Sequence, residues 1–271
     1  MTTSYGVTQY LQRGEGRIAY DVRGEGPLVV CVPGVAELRS AFRYTVPALV
    51  EAGYRVATTD LRGHGESDDS FSAFDNLAIA ADLLALVDHL GGPALIVGNS
   101  MGASAAVCAA AEEPSKIAGL ALLGPFVRDG NRFLALLTRV LLRKPWGPAF
   151  WGAYYPKFYP GRRPADYDTY VADMKAAWKR GSHWQSFTRM TRTSHGAATV
   201  RLGKVTAPTL VVMGSKDPDW SDPAAEAAFV RDSLRGDLLM VPESGHYPMA
   251  DNPEVVNPAL VTFAARVYPR A

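Results

Sequence analysis

The segment Gly98–Gly102, which reads Gly-Asn-Ser-Met-Gly, places one serine at the centre of a turn between two glycines. The apolar run Ala94–Val97 before it predicts a buried strand, and the small-residue stretch Ala103–Val107 after it predicts a helix. A serine on such a strand-to-helix turn has a strained backbone, and the flanking glycines avoid a clash with neighbouring chain. The free N–H groups at the start of the helix favour negative charge at the same point. Ser100 is therefore a candidate nucleophile for acyl transfer.

A serine nucleophile of this kind needs an orienting acid and then a histidine, each just after a later strand. The apolar run Thr209–Met213 leads into Gly-Ser-Lys-Asp, so Asp217 follows the carboxyl end of a predicted buried strand, where open α/β sheets place their chemistry. We predict that Asp217 is the acid. Asp219 and Asp222 are competing candidates, although each also suits a turn or a helix cap.

The next apolar run, Leu238–Val241, leads into a loop that contains His246. We therefore predict that His246 is the base at the same edge of the sheet. The other four histidines fit a helix end, a bracing position in a glycine-rich loop, or solvent contact and local capping in a polar stretch; they are His89, His64, His183 and His195. The histidine and cysteine spacings do not indicate a metal site, and we predict neither a metal nor a cofactor.

Predicted strands and helices alternate through the first half of the chain. A hairpin-like start is predicted around 17–21, followed by strands at 28–32, 54–59, 94–97 and 117–123, and helices are predicted at 41–52, 76–90 and 101–112. This alternation predicts an α/β fold with a parallel sheet and right-handed crossovers. From residue 126 to residue 204 only helices are predicted, at 132–142, 148–155, 166–180 and 184–193.

Five ordered motifs make the chain resemble the α/β-hydrolase superfamily over nearly its whole length: Val32-Pro33-Gly34-Val35, Asp60–Ser67, Gly98–Gly102, Gly214–Asp217 and Gly245-His246. The resemblance implies a mostly parallel twisted sheet with helices on both faces and an inserted helical cap. It also implies a core formed by residues 1–125 and 205–271, a cap formed by residues 126–204, and a catalytic triad of Ser100, Asp217 and His246.

The resemblance further implies an oxyanion hole made by two backbone N–H groups, those of Met101 and Val35. Members of the superfamily usually carry His-Gly in the loop before the second donor, and this chain has Pro33-Gly34 there. Since backbone amides do this work, the missing imidazole does not by itself abolish the hole.

The chemistry expected from these residues is hydrolysis of a carboxylic ester or lactone through an acyl-enzyme on Ser100. A serine nucleophile argues against the epoxide hydrolase and haloalkane dehalogenase branches, which use a carboxylate. A cofactor-free perhydrolase or haloperoxidase and a carbon–carbon bond hydrolase would use the same residues, and a slow-turnover small-molecule receptor would retain them. Analogy of fold does not choose among these functions.

The predicted cap is rich in aromatic residues and in positive charge. It holds four of the five tryptophans, and 15 lysines and arginines against four acidic residues. Its aromatic rings favour an apolar substrate, with Trp151, Tyr154, Trp184 and the loop residue Tyr247 as predicted contacts. The charge suits packing on an acidic body or a partner subunit, as in a homodimer, and alternatively the attraction of anionic substrates. Nucleic acid is not an expected partner, because no basic, aromatic-interleaved motif accompanies the charge.

Composition agrees with one α/β domain carrying an insertion. The 271 residues are 48% hydrophobic and 20% charged, with a net charge of +1. The first residues do not resemble a secretory leader, and no run of about 18 apolar residues predicts a membrane span. We therefore expect a cytoplasmic protein with reduced cysteines, Cys31 and Cys108.

Overall fold

The computed structural model describes residues 6–130 and 132–269, with the backbone alone for residues 132–135. Residues 1–5, 131, 270 and 271 of the predicted core and cap lie outside the described part. The strands are β1 Gln9–Arg13, β2 Gly16–Arg23, β3 Leu28–Val32, β4 Arg55–Thr59, β5 Ala94–Asn99, β6 Ile117–Leu123, β7 Thr209–Gly214 and β8 Asp237–Val241. The helices are α1 Thr45–Glu51, α2 Asn76–His89, α3 Met101–Glu112, α4 Arg132–Leu141, α5 Gly147–Tyr154, α6 Tyr167–Ala177, α7 His183–Met190, α8 Gly196–Thr199, α9 Pro223–Leu234, α10 Pro248–Asp251 and α11 Pro253–Val267.

The described strands form one twisted sheet in the order β1-β2-β4-β3-β5-β6-β7-β8. β1 and β2 pair antiparallel, β2 pairs antiparallel with β4, and all further pairings are parallel. The direction of winding reverses between β3 and β5, and an open α/β sheet binds its ligands at such a reversal. The loops that follow β3 and β5 therefore face each other across the expected site. The prediction of an α/β-hydrolase fold is confirmed.

The middle of the sheet is buried on both faces. Every residue of β3, β5 and β7 is buried, which explains their continuous apolar runs. α3 consists mostly of alanine and other small residues, and ten of its 12 residues are buried, so this helix packs closely against the sheet and α2. As a result the first turn of α3 lies directly below the loop after β3.

Two elements differ from the sequence-based prediction. The single helix expected at 41–52 is divided into a 3-10 turn, Arg39–Phe42, and α1. Pro47 explains the division, because it has no N–H to donate to the carbonyl of Arg43 and is tolerated only in a first helical turn. The hairpin-like start predicted around 17–21 corresponds to β2, which pairs antiparallel with β1, but the range of β1 was not predicted, since its polar, half-exposed residues carry little apolar periodicity.

The region between β6 and β7 is helical in its described part and contains α4 to α8, as expected for an inserted cap. The division of the chain at residues 126 and 204 stays a prediction. Asp222 caps α9 by accepting a hydrogen bond from the amide of Ala225 at 2.9 Å. None of the described helices is both long enough and apolar enough to cross a lipid bilayer.

Candidate active site

Ser100 occupies the turn between β5 and α3 with φ of 52° and ψ of −116°. This is a conformation that a residue with a side chain adopts only under constraint from its surroundings. The constraint is visible at the flanking glycines: a Cβ on Gly98 would lie 2.7 Å from the carbonyl oxygen of Gly102, and one on Gly102 would lie 2.4 Å from that of Val32. The crowded turn therefore holds the Ser100 side chain at the edge of the sheet.

The loop after β3 passes directly over Ser100. A Cβ on Gly34 would lie 2.8 Å from the Cβ of Ser100, so only glycine allows this approach. The next amide in the loop belongs to Val35, and the first amide of α3 belongs to Met101. Neither N–H donates a hydrogen bond to any group in residues 6–130 or 132–269. Unpaired amides are rare in protein interiors, and each of these two is available to donate a hydrogen bond to an anionic oxygen.

His246 lies in the loop after β8, and its imidazole is almost completely buried. Nδ1 lies 2.7 Å from Oδ2 of Asp217, which follows β7. Asp219 also approaches the ring, with its Oδ2 3.4 Å from Nδ1, and its own amide donates to Oδ1 of Asp217 at 3.0 Å. The hydroxyl of Ser100 makes no hydrogen bond among the described residues, so its side chain is free to turn towards a substrate or towards His246.

The two carboxylates change the protonation of the imidazole. Burial by itself lowers the pKa of His246, but the charges of Asp217 and Asp219 outweigh it and raise that pKa to about 9. Burial raises the pKa of Asp219 to about 6, against the opposing effect of the His246 charge. The site thus favours an imidazolium paired with a carboxylate, which is the ion pair that forms when a histidine accepts a proton.

The same residues are the one group of potential metal ligands found in the described chain. One atom each from Asp217, Asp219 and His246 lies within 4.8 Å of the others. Nδ1 of His246 is already hydrogen-bonded to Asp217, and this contact has the geometry of an acid that orients a base.

The comparisons with known proteins agree with the fold. A model of the alpha/beta hydrolase family matches residues 29–259. The chain belongs to the alpha/beta hydrolase family. It is 29% identical over 265 residues to a 2-(acetamidomethylene)succinate hydrolase of Mesorhizobium japonicum, a match that covers 92% of each protein.

Two solved structures show how widely this hydrolase fold recurs. An esterase from Exiguobacterium antarcticum superimposes with a TM-score of 0.83 at 22% identity, over 94% of this chain and 98% of the esterase. The enol-lactonase of Burkholderia xenovorans LB400 superimposes with a TM-score of 0.82 at 20% identity, over 95% of this chain and all of the lactonase. At such identities the likeness establishes the fold alone.

Three residues that the sequence analysis of this alpha/beta hydrolase did not select help to place His246. Asn99 Nδ2 donates to the backbone oxygen of His246 at 3.2 Å and so joins the residue before Ser100 to the histidine loop. The amide of His246 donates to the backbone oxygen of Phe158 at 3.1 Å. A Cβ on Gly124 would lie 3.2 Å from Nδ1 of His246. The glycine at the end of a predicted strand was a signal available in the sequence, whereas the Phe158 contact had none.

The four predicted substrate contacts of the hydrolase lie in different surroundings. Tyr154 is half-buried, and the charges of Asp219 and Asp217 act on its hydroxyl. Trp151 packs on Phe158 with ring centroids 5.7 Å apart. Tyr247 is buried 5.1 Å from the ring of His246. Trp184 is enclosed within the helices of the insertion and donates to the oxygen of Leu142 at 3.1 Å.

Of the two histidines expected in solvent contact or local capping, His183 makes a local contact, whereas His195 contacts a distant helix. His183 is buried, and its Nδ1 lies 2.7 Å from the oxygen of Arg180. His195 is half-buried and contacts Ser104 on α3 at 3.1 Å, while burial lowers its pKa to about 4. Both side chains pack the inserted helices onto the core, because helices that look polar in sequence still bury one face when they cover another layer.

Proposed function

We propose that this alpha/beta hydrolase is a serine hydrolase that cleaves a carboxylic ester or lactone through an acyl-enzyme on Ser100. The observation that carries the proposal is the 2.7 Å contact between His246 Nδ1 and Asp217 at the sheet edge that also carries Ser100. The unpaired amides of Met101 and Val35 beside Ser100 support it. In this proposal Ser100, Asp217 and His246 are the catalytic triad, and the two amides are the oxyanion hole.

Acylation begins when Oγ of Ser100 attacks the carbonyl carbon of the substrate. The hydroxyl proton passes to Nε2 of His246, while Asp217 holds Nδ1–H and stabilises the imidazolium that forms. The carbonyl oxygen takes the negative charge and accepts hydrogen bonds from the amides of Met101 and Val35. His246 then gives its proton to the leaving alcohol oxygen as the carbon–oxygen bond breaks. The contact between Ser100 and His246 forms with substrate bound, as catalytic hydrogen bonds often do.

Deacylation repeats these steps with water in place of serine. His246 takes a proton from the water as the water oxygen attacks the acyl carbon, and it then gives that proton to Oγ of Ser100 as the bond between Oγ and the acyl carbon breaks and the acid is released. In a lactone the alcohol and the acid belong to one product, so a hydroxy acid is released. Each bond that forms is matched by one that breaks, and the enzyme returns to its initial protonation state.

The inserted helices favour a small substrate with an apolar part. Aromatic rings extend from His246 through Phe158, 5.4 Å from the imidazole, to Trp151 and the half-buried Tyr154. In the proposal Tyr154 and Trp151 contact the substrate, and Tyr247 supports the base from behind. Trp184 packs the inserted helices, since its indole nitrogen is bonded within them. Part of the positive charge of residues 126–204 pairs with carboxylates of the core, as Arg128 does with Glu226 and Arg201 with Glu112, and the remainder would attract a substrate that carries an anionic group.

A fluorophosphonate probe and p-nitrophenyl esters test the proposal directly. The wild-type protein should be labelled at Ser100, as mapped by mass spectrometry, and should release p-nitrophenol for many turnovers. Ser100→Ala should lose both activities by several orders of magnitude without unfolding. Ser215→Ala is the matched control, because its exposed hydroxyl accepts from the amide of Glu243 at the same edge of the sheet. Labelling elsewhere, or a single burst without turnover, would refute the proposal, and the burst would favour a receptor.

A further inference from the structure

A carboxyl group that the proposed reaction does not use lies under the inserted helices. Glu37 is only 1% exposed and lies two residues after Val35. Its Oε2 accepts a hydrogen bond from the hydroxyl of Tyr170 on α6 at 2.5 Å. Its Oε1 is buried and has no hydrogen-bond partner among the described residues. A buried carboxyl group is costly unless hydrogen bonds or charges stabilise it. Its position in the loop after β3 that carries Val35, called the oxyanion loop below, therefore needs a physical explanation.

Several hydroxyl groups surround this acid. Burial raises the pKa of Glu37, while the hydroxyls of Tyr170, Tyr155 and Tyr247 and the charge of Arg43 lower it. Only the Tyr170 contact has the geometry of a direct hydrogen bond. Tyr155 belongs to the turn after α5, and Tyr247 is the neighbour of His246 in the chain. The acid therefore lies where the oxyanion loop, the inserted helices and the histidine loop meet.

The inserted helices also contact the backbone on both sides of Glu37. The amide of Leu38 donates to the hydroxyl of Tyr170 at 3.3 Å, and the indole of Trp178 donates to the oxygen of Ala36 at 3.3 Å. Ala36 has a φ of 67°, in the left-handed region that favours glycine. A strained residue of this kind persists only where neighbours hold it. Here the neighbours that hold Ala36 are Tyr170 on α6 and Trp178, the residue that follows α6.

We propose that Glu37 is a positioning residue, whose hydrogen bond to Tyr170 holds the strained Val35–Leu38 segment so that the Val35 amide points at the developing oxyanion. The inference rests on the proposed serine hydrolase function and adds to it that the inserted helices complete the oxyanion hole. Releasing the segment lets Ala36 relax and lets the Gly34–Val35 peptide, which carries the donor N–H of Val35, turn away from Ser100. Because an oxyanion donor acts mainly in the transition state, the loss falls on kcat and leaves KM nearly unchanged.

The test uses four variants of the full chain. Tyr170→Phe removes the hydroxyl that binds Glu37, and Glu37→Leu removes the acceptor. Glu37→Gln keeps an oxygen for the Tyr170 hydroxyl and serves as the conservative rescue. Tyr167→Phe is the matched control, because Tyr167 lies on the same helix and its hydroxyl does not bond to Glu37. For each variant we would measure kcat, KM, melting temperature and the rate of fluorophosphonate labelling at Ser100.

We expect Tyr170→Phe and Glu37→Leu to lower kcat and the labelling rate by about 10- to 100-fold, part of the 100- to 1,000-fold that loss of a whole donor costs. KM should stay within about threefold, and Glu37→Gln should keep most of the activity. Equal kcat in Tyr170→Phe and Tyr167→Phe would overturn the inference, as would a loss confined to KM. If the wild type is not labelled at Ser100, the proposed hydrolytic function fails first and this inference with it.

Discussion

Replacing Asp217 by asparagine should leave a measurable part of the activity, because a second carboxylate already lies beside His246. Asp217 Oδ2 is 2.7 Å from Nδ1 of the imidazole, and Asp219 Oδ2 is 3.4 Å from the same atom. A single-acid triad loses about 10,000-fold when its acid becomes an amide. Here the remaining carboxylate continues to stabilise the imidazolium.

The size of the residual activity follows from the two distances. At an effective dielectric constant of about 20, unit charges attract by about 6 kcal/mol at 2.7 Å and by about 5 kcal/mol at 3.4 Å. The difference of about 1 kcal/mol corresponds to somewhat less than tenfold in rate. The lost charge-assisted hydrogen bond adds about 1.5 to 3 kcal/mol. We therefore expect Asp217→Asn to lose about 100- to 1,000-fold in kcat/KM, and the double variant with Asp219→Asn to approach 10,000-fold.

The assay is p-nitrophenyl ester hydrolysis over a full pH range, so that the plateau rates are compared rather than rates at one pH. Asp219→Asn alone should keep its plateau within about threefold of the wild type. Asp222→Asn is the matched control: it alters an aspartate in the same loop that only caps α9, and should change stability by no more than about 1 kcal/mol without changing the plateau. Full activity in Asp217→Asn together with inactivity in Asp219→Asn would show that Asp219 is the orienting acid. Equal losses in Asp217→Asn and in the double variant would refute the argument that Asp219 stabilises the imidazolium when Asp217 is replaced.

Three further predictions concern the pH dependence, the oxyanion loop and the charge of the inserted helices. The base must be neutral and the pKa of His246 is raised to about 9, so kcat/KM should rise with pH through about 9. Asp219→Asn should move this rise to lower pH, because one of the carboxylates that raise the pKa of His246 is gone. A rise centred near 6.5 in the wild type would contradict the argument. Gly34→Ala should lower kcat by about 100-fold with little change in melting temperature, because its Cβ would lie 2.8 Å from that of Ser100. Gly203→Ala is the control and should keep full activity, because a Cβ there meets open space. Equal kcat in the two variants would show that the loop after β3 moves to accommodate the added methyl group. For an anionic ester kcat/KM should fall as salt is added, while a neutral ester of the same acyl chain should respond little; identical salt profiles would exclude steering.

The alternation of elements made much of the fold predictable. Buried parallel strands appear as continuous apolar runs, so the central strands, the long helices α2 and α3 and the helical character of the segment between β6 and β7 were foreseen from residue order. The divided helix at 41–52 was not foreseen, although Pro47 carried the physical reason. β1 was missed because an edge strand with little burial has little apolar pattern.

By itself the sequence determined which residues reach one edge of the sheet, because parallel strands end together and the loops after them must meet there. That reasoning selects Ser100, Asp217 and His246 as candidates from residue order alone. Only the tertiary structure decided how near each carboxylate lies to His246, and that Glu37 lies among tyrosines from the inserted helices. The contact between Glu37 and Tyr170 joins residues 133 apart and that between Asp217 and His246 joins residues 29 apart, and both distances depend on how whole layers pack. Local propensity and spacing carry no record of that packing.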